Sequence, residues 1–191
     1  MKGGRALRLF IAIEFSDSIK EELLLLAARL KAFARCGHFT AKEHLHLTLA
    51  FLGEQSYASL PVILEAMTVS AGKAFPLKIS GLDAFCRGNE FLYFLSTEHN
   101  PSLLQLYSTL TAQLAEANIA FDPKPFRPHI TLARRCKMTP NFSSSQFAAS
   151  IKPITVSVDH ITLMHSQRRN GKLSYTSLAK IPLHCENAAK Q

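Results

Sequence analysis

The sequence predicts an α+β fold with antiparallel or mixed sheets, on three observations. Residues 44–51 and 128–132 alternate apolar and polar side chains at the period of two expected of half-buried strands. Three longer stretches have helical composition, two of them with clear starting signals. The regular strand–helix alternation that a doubly wound sheet requires stops after the middle of the chain, where strands follow one another directly.

Taken in order, residues 8–15 form a nearly continuous apolar run of strand length, and Ser16-Asp17-Ser18 offers an N-cap for a helix over 17–33. Residues 35–42 read as a connector with a short strand, leading into the strand at 44–51 that Gly53 closes. Residues 56–71 predict a second helix with Pro61 near its first turn. Residues 75–85 and 90–96 read as strands joined across Arg87-Gly88-Asn89, a link of hairpin type. Asn100-Pro101 opens a third helix running to Asn118. Pro123, Pro125 and Pro128 then remove backbone donors and fix the chain in an irregular path into the strand that carries His129. Residues 139–145 read as a surface loop, and 153–163 and 173–183 as the last strands, with a turn at 167–171 between them.

A chain of 191 residues suits a single domain, 1–191, and buries about 70% of its unfolded surface without a covalent staple. Its apolar fraction is that of a folded globular protein. The net charge of +8 favours an anionic partner without identifying it. Cys36, Cys86, Cys136 and Cys185 stand far apart with no Cys-x-x-Cys pair, so they read as reduced thiols of a cytoplasmic protein. Lys2, Arg5 and Arg8 precede an apolar run that Glu14 ends before signal-peptide length, and no stretch reaches the roughly 18 apolar residues of a membrane span.

The chemistry lies in the two alternating strands. In the first, Leu45, Leu47 and Leu49 go to one face, and His44, His46 and Thr48 to the other; in the second, Ile130 and Leu132 oppose His129 and Thr131. A bare His-x-Thr triplet is a weak signal, because the chain has four of them, at His38, His46, His129 and His160. Strands favour threonine and histidine is often partly buried, so at least two are expected to be structural. Context separates the two at His46 and His129: each follows a helix and connector, sits in a clean alternation, and ends near a glycine or a basic residue. His160 shares its face with Val156 and Val158, which places it on a half-buried sheet surface.

If both strands present their polar faces to one cleft, the set is suited to phosphoryl transfer without metal. Two imidazoles can divide the labour, one deprotonating an attacking oxygen and the other protonating a leaving oxygen. Thr48 and Thr131 can donate to the non-bridging phosphate oxygens, and Arg134 can hold the same anion. A zinc site made by His44, His46 and His129 is the competing reading; no obvious carboxylate partner stands near either strand in sequence, and it leaves the threonines unexplained. His44 reads as a rim residue.

At these residues the chain resembles a known family. His46-Leu-Thr48-Leu-Ala-Phe-Leu-Gly53 and Pro125-Phe-Arg-Pro-His129-Ile-Thr131-Leu-Ala-Arg134 are similar to the two His-x-Thr motifs of the 2H phosphoesterases, specifically the LigT-type RNA 2',3'-cyclic phosphodiesterases, also called 2'-5' RNA ligases. The opening strand and the segment containing Gly171-Lys-Leu-Ser-Tyr175-Thr resemble the family's first strand and last hairpin. The resemblance implies a bilobal α+β fold with one motif from each lobe facing a central groove. It implies hydrolysis of a 2',3'-cyclic phosphate to a 2'-phosphate, with no metal or other cofactor. It also implies roles: His46 as general acid toward the departing 3' oxygen, His129 as general base toward water, and Thr48, Thr131 and Arg134 on the phosphate.

Relatives often carry a tryptophan shortly before the first motif, where this chain has His38-Phe39 and no tryptophan at all. Phe51, Phe126 and Tyr175 are candidates to stack on a base, with core packing the commoner role for such rings. The expected partner is RNA or a nucleotide with a 2',3'-cyclic phosphate end, met by a monomer with no membrane association. The alternatives are a module that holds such ends without turnover, and 2'-5' ligation as the physiological direction.

Overall fold

The computed structural model describes residues 6–184, so Lys2, Arg5 and Cys185 lie outside the described residues. Nine strands and four α-helices follow in the order β1 (Leu7–Glu14), α1 (Asp17–Lys31), β2 (Ala34–Phe39), β3 (His46–Gln55), α2 (Leu60–Val69), β4 (Phe75–Arg87), β5 (Glu90–Thr97), α3 (Pro101–Glu116), β6 (His129–Met138), α4 (Ser144–Ala149), β7 (Ile154–Val158), β8 (His160–Arg169) and β9 (Lys172–Pro182). The strands form a four-stranded sheet in the order β3-β1-β8-β9 and a five-stranded sheet in the order β2-β6-β5-β4-β7. Every pairing within them is antiparallel, so the fold is α+β and the mixed-sheet alternative drops out.

The helices form where the sequence places their caps. Ser16 Oγ accepts from the Ile19 amide at the start of α1, and Asn100 Oδ1 accepts from Leu103 at the start of α3, with Pro101 supplying a first-turn residue that has no amide to satisfy. Leu23, Leu26, Ala27 and Leu30 on α1, and Leu103, Leu106, Leu110 and Leu114 on α3, recur at helical spacing and are all buried. They join Leu47 and Leu49 of β3 and Ile130 and Leu132 of β6 in one contiguous core cluster that takes residues from both sheets. Removing such a side chain, as in Leu47→Ala, costs about 2–5 kcal/mol. A smaller cluster of Phe10, Ala12 and Met164, flanked by Phe51 and Tyr175, lies on the other face of β1.

The structure departs from the sequence reading in four places. The strand expected over 153–163 is two strands in different sheets: β7 pairs with β4, β8 pairs with β1, and Asp159 carries the chain across. His160 therefore does not share a face with Val156 and Val158; it opens β8, with its Nδ1 on Asp159 and a buried Nε2 that has no partner among the described residues. The connector after α1 contains a full edge strand, β2, laid against β6. The expected loop at 139–145 leads into α4, whose first residue Ser144 follows the capping Ser143. Finally, His44 ends a turn of 3-10 helix, Lys42–His44, and β3 runs on through Gly53 to Gln55. Gly53 sits at φ 69°, a left-handed conformation that lets the strand bulge and continue.

Candidate active site

β3 and β6 bring the two His-x-Thr pairs together. His46, Thr48, His129, Thr131 and Arg134 all line one cleft of about 230 Å³. Leu47 and Ile130, the residues between each histidine and threonine, are fully buried beneath it. Alternation thus turns each strand's leucine side to the core and its histidine side to the cleft.

Each imidazole is fixed in the same way. His46 Nδ1–H donates to the carbonyl of His44 at 2.7 Å, and His129 Nδ1–H donates to the carbonyl of Arg127 at 2.7 Å. A carbonyl can only accept, so the hydrogen of the neutral ring sits on Nδ1 and the Nε2 lone pair is left for chemistry. On His46 that nitrogen accepts from the Thr48 hydroxyl at 3.1 Å. Aromatic rings hold both imidazoles: His46 lies 5.0 Å from Phe10 and 5.4 Å from Tyr175, and His129 meets Phe85 and Phe94 edge-on at 5.5 and 5.2 Å.

The residues that supply the two carbonyls are themselves anchored. The His44 ring packs on Tyr175 at 4.7 Å. Arg127 lies over Phe85 and Phe94 at 4.9 and 5.4 Å and pairs with Asp83 of β4.

Strict alternation would put Arg134 on the core side with Ile130 and Leu132. Two irregularities prevent this. Thr131 and Ala133 pair with the adjacent residues Phe94 and Tyr93, so Leu132 is an unmatched extra residue. Arg135 adopts φ 53°, and the exposed Arg134 turns to the cleft while Ala133 takes the buried place. β3 repeats the device: Thr48 and Ala50 pair with Ala12 and Ile11, Leu49 is extra, and Phe51 comes to lie opposite Phe10.

Electrostatics separates the two histidines. Burial pushes the His46 imidazole down to about 4, against the pull of the His44 carbonyl and with help from the Arg134 charge. His129 is also lowered, first by burial and then by Arg134 and Arg127, with its own carbonyl contact opposing. Both rings are therefore neutral near pH 7 while the cleft holds no anion. Burial likewise raises the Tyr175 phenol.

Sequence reasoning missed two residues of this cleft, His38 and Thr40, which line it beside the rim residue His44 and the ring of Tyr175; three of the four His-x-Thr triplets meet there, and the one at His160 lies elsewhere. β2 brings His38 opposite Arg134, a close approach that depends on Gly37, where a side chain would strike Cys136 Sγ. Of the candidate stacking rings, Tyr175 lies in the cleft, and Phe51 lies beyond it under the Arg8 guanidinium at 5.0 Å. Phe126 stacks on Tyr107 at 4.0 Å and does not line the cleft. Among the described residues no group of three or more His, Cys, Asp or Glu side chains is arranged to hold a metal ion, the trio His44, His46 and His129 included. None of their helices is long and apolar enough to cross a membrane.

Comparison with known proteins adds a second line of observation. A family model described as the 2'-5' RNA ligase superfamily matches residues 15–170. The chain is 30% identical to the RNA 2',3'-cyclic phosphodiesterase of Escherichia coli K12 over 178 residues, 91% of this chain and 94% of that protein. It is 27% identical to the protein of the same description from Thermotoga maritima, over 84% of this chain and 87% of that one. Among solved structures it is similar to E. coli LigT complexed with 3'-AMP, with a TM-score of 0.77 at 29% identity, over 94% of this chain and 99% of that one. The TT0787 protein of Thermus thermophilus gives 0.76 at 27%, over 95% and 100%.

Proposed function

The chain belongs to the 2'-5' RNA ligase superfamily, and from that premise we propose that it hydrolyses 2',3'-cyclic phosphate ends of RNA to 2'-phosphates by two-histidine acid–base catalysis. The observation that carries the reading is the matched pair of imidazoles, each held through Nδ1 by the carbonyl two residues before it, on one cleft with two threonines and an arginine. In this reading His129 Nε2 takes a proton from water as the water oxygen bonds to phosphorus. The bond from phosphorus to the 3' oxygen breaks on the opposite side, and His46 Nε2 gives that oxygen a proton. Thr48 and Thr131 donate to the non-bridging oxygens, and Arg134 holds the charge they carry.

The lowered His46 adds a condition. In the free protein the ring is neutral, so the acid form is populated when the phosphodiester anion enters beside it and favours the imidazolium. The substrate thereby helps to charge its own catalyst.

The reverse-type reaction, 2'-5' ligation, would seat a 5'-hydroxyl where the water stands and use the same groups. The core shared by both sheets supports a single domain, and the wide spacing of the cysteines supports the cytoplasm.

The test is incubation with a short RNA ending in 2',3'-cyclic phosphate, in chelator, with the product identified by phosphorus NMR. A 2'-phosphate is expected. A 3'-phosphate would overturn the assigned direction of cleavage, and retained binding without product would favour the binding module.

A further inference from the structure

The third His-x-Thr triplet of the cleft, His38-Phe39-Thr40, has no part in the proposed reaction. It lies on β2, the edge strand of the five-stranded sheet, which pairs with the strand that carries His129. His38 stands directly opposite Arg134, and the Thr40 amide donates to the Leu132 carbonyl at 2.8 Å, so the triplet runs antiparallel along the second motif, from Arg134 back toward Thr131. Residues directly opposite on neighbouring strands bring their Cβ atoms to about 4.5–5.5 Å. The His38 imidazole is therefore beside any anion that Arg134 holds. The other three triplet histidines are each held through Nδ1, by a backbone carbonyl or by Asp159. His38 and Thr40 instead have no hydrogen-bond partner for their side chains among the described residues, and both are left to meet a ligand.

The direction of the reaction says which ligand. His46, Thr48, Arg134 and Tyr175 also line a larger groove over the four-stranded sheet, whereas residues 38–41, His44, His129 and Thr131 line the cleft alone. In-line displacement puts the departing 3' oxygen and its nucleoside on the His46 side, and the attacking oxygen on the His129 side. Any group attached to the attacking oxygen then lies against the wall made by residues 38–41. Water has no such group and makes no use of two free donors there. An alcohol does. An imidazole N–H and a threonine hydroxyl beside an arginine repeat the donor set that the cleft offers to the reacting phosphate, so the group they suit is a second phosphate.

We propose that the β2 wall is the acceptor subsite for a second RNA end carrying a 5'-hydroxyl, with His38 and Thr40 donating to the phosphate on the 3' side of the acceptor nucleotide. The step balances without a co-reactant. His129 Nε2 takes the proton of the 5'-hydroxyl as that oxygen bonds to phosphorus, the bond from phosphorus to the 3' oxygen breaks, and His46 Nε2 protonates the 3' oxygen. The product is a 2'-5' phosphodiester beside a free 3'-hydroxyl. The inference rests on the proposed assignment of His46 as acid and His129 as base, and adds the residues that set the choice between alcohol and water.

The experiment supplies a short RNA ending in 2',3'-cyclic phosphate together with one of two acceptors, an oligoribonucleotide with a 5'-hydroxyl or a free nucleoside. It measures the ratio of 2'-5'-linked product to 2'-phosphate for the native protein and for the double variant His38→Ala/Thr40→Val. The native ratio is expected to be higher with the oligoribonucleotide than with the nucleoside. The variant should lose at least tenfold in the oligoribonucleotide ratio, about the factor carried by one donor to a charged oxygen, and match the native protein with the nucleoside. Its kcat/KM for hydrolysis without acceptor should stay within twofold of native, which also reports an intact fold. An unchanged ratio in the variant, an equal loss of hydrolysis and ligation, a native protein indifferent to the acceptor, or one that hydrolyses but forms no 2'-5' product would each overturn the subsite and leave the phosphodiesterase reading in place. A native protein that turns over no cyclic phosphate would remove that reading and the subsite together.

Discussion

Phe51 and Arg134 occupy corresponding places in the two halves of the site: each lies three residues after a motif threonine, and each is turned out of the core by an unmatched leucine, Leu49 or Leu132. One half thus offers a ring at this position and the other a cation. If Arg134 holds the phosphate, Arg134→Ala should lower kcat/KM by about 100- to 1,000-fold, the loss expected when one donor to a developing charge is removed. Arg134→Lys should recover only part of it, because an ammonium cannot reproduce the planar fork. Steady-state kinetics of both variants checks this, and an Ala variant within twofold of native would exclude Arg134 from the site.

The histidines should be individually indispensable. His46→Ala and His129→Ala should each remove most turnover while circular dichroism stays native. Thr48→Val and Thr131→Val should each cost about 1–3 kcal/mol of transition-state stabilisation, the range for a hydrogen bond to a charged group. Substantial activity in either histidine variant would rule out the division of labour between them.

Both imidazoles titrate low in the unliganded protein, so kcat/KM, which reports that state, should follow a bell with limbs on the acid side. One limb is expected near about 4, from His46, and the other below the ordinary 6.5, from His129. The profile of kcat, which reports the occupied cleft, should lie at higher pH, because the bound anion raises both rings. Coincident optima for the two parameters would contradict substrate-assisted protonation.

Asp83 and Arg127 should tune His129 in opposite directions. Arg127 lowers His129 by its charge and supplies the carbonyl that orients it, and Asp83 partly neutralises Arg127. Arg134 presses on the same ring from its own strand, and Asp83 is the acidic partner of the pair. Asp83→Asn should therefore move the His129 limb to lower pH, and Arg127→Met should move it to higher pH. Shifts of the same sign in both variants would mean that the pair acts only on packing.

His46 also makes stability depend on pH. The folded protein binds the His46 proton only near about 4, whereas the unfolded chain binds it near the ordinary 6.5. Between those values the unfolded state holds the extra proton, so this contribution to stability is complete above the upper value and is lost as the pH falls toward the lower one. The loss is on the order of 3 kcal/mol. Urea midpoints at neutral and acidic pH should show a smaller acid penalty for His46→Gln than for the native chain, and equal penalties would count against a proton excluded by burial.

The part of the site carried by strict alternation was legible in the sequence: Leu47 and Ile130 point inward, so His46, Thr48, His129 and Thr131 must point out. Arg134 was named as the basic residue at the end of its strand and again by the family motif, but its reach into the cleft depends on the bulge at Leu132, and no local composition marks a bulge whose extra residue is an ordinary leucine. Phe51 was ambiguous for the same reason. β2 was read only as a connector with a short strand because Arg35-Cys36-Gly37-His38 shows no apolar alternation; an edge strand held from one side needs none. The break at Asp159 did leave a trace, since the alternating buried positions 154, 156 and 158 give way to an unbroken buried run over 161–164. That loss of alternation marks the change of sheet.

The exchange of strands between sheets governs when the molecule can work. β1 lies between β3 and β8, with Leu9 opposite His165, and Tyr175 of β9 packs against His46. The first motif is thus framed by segments synthesised far apart in time, and contacts of such long sequence separation form late. A chain still emerging from the ribosome, or one cut short before β8, has both histidines and both threonines but no wall behind the first pair. The wall behind the first motif is complete only once β8 and β9 have joined β1 and β3.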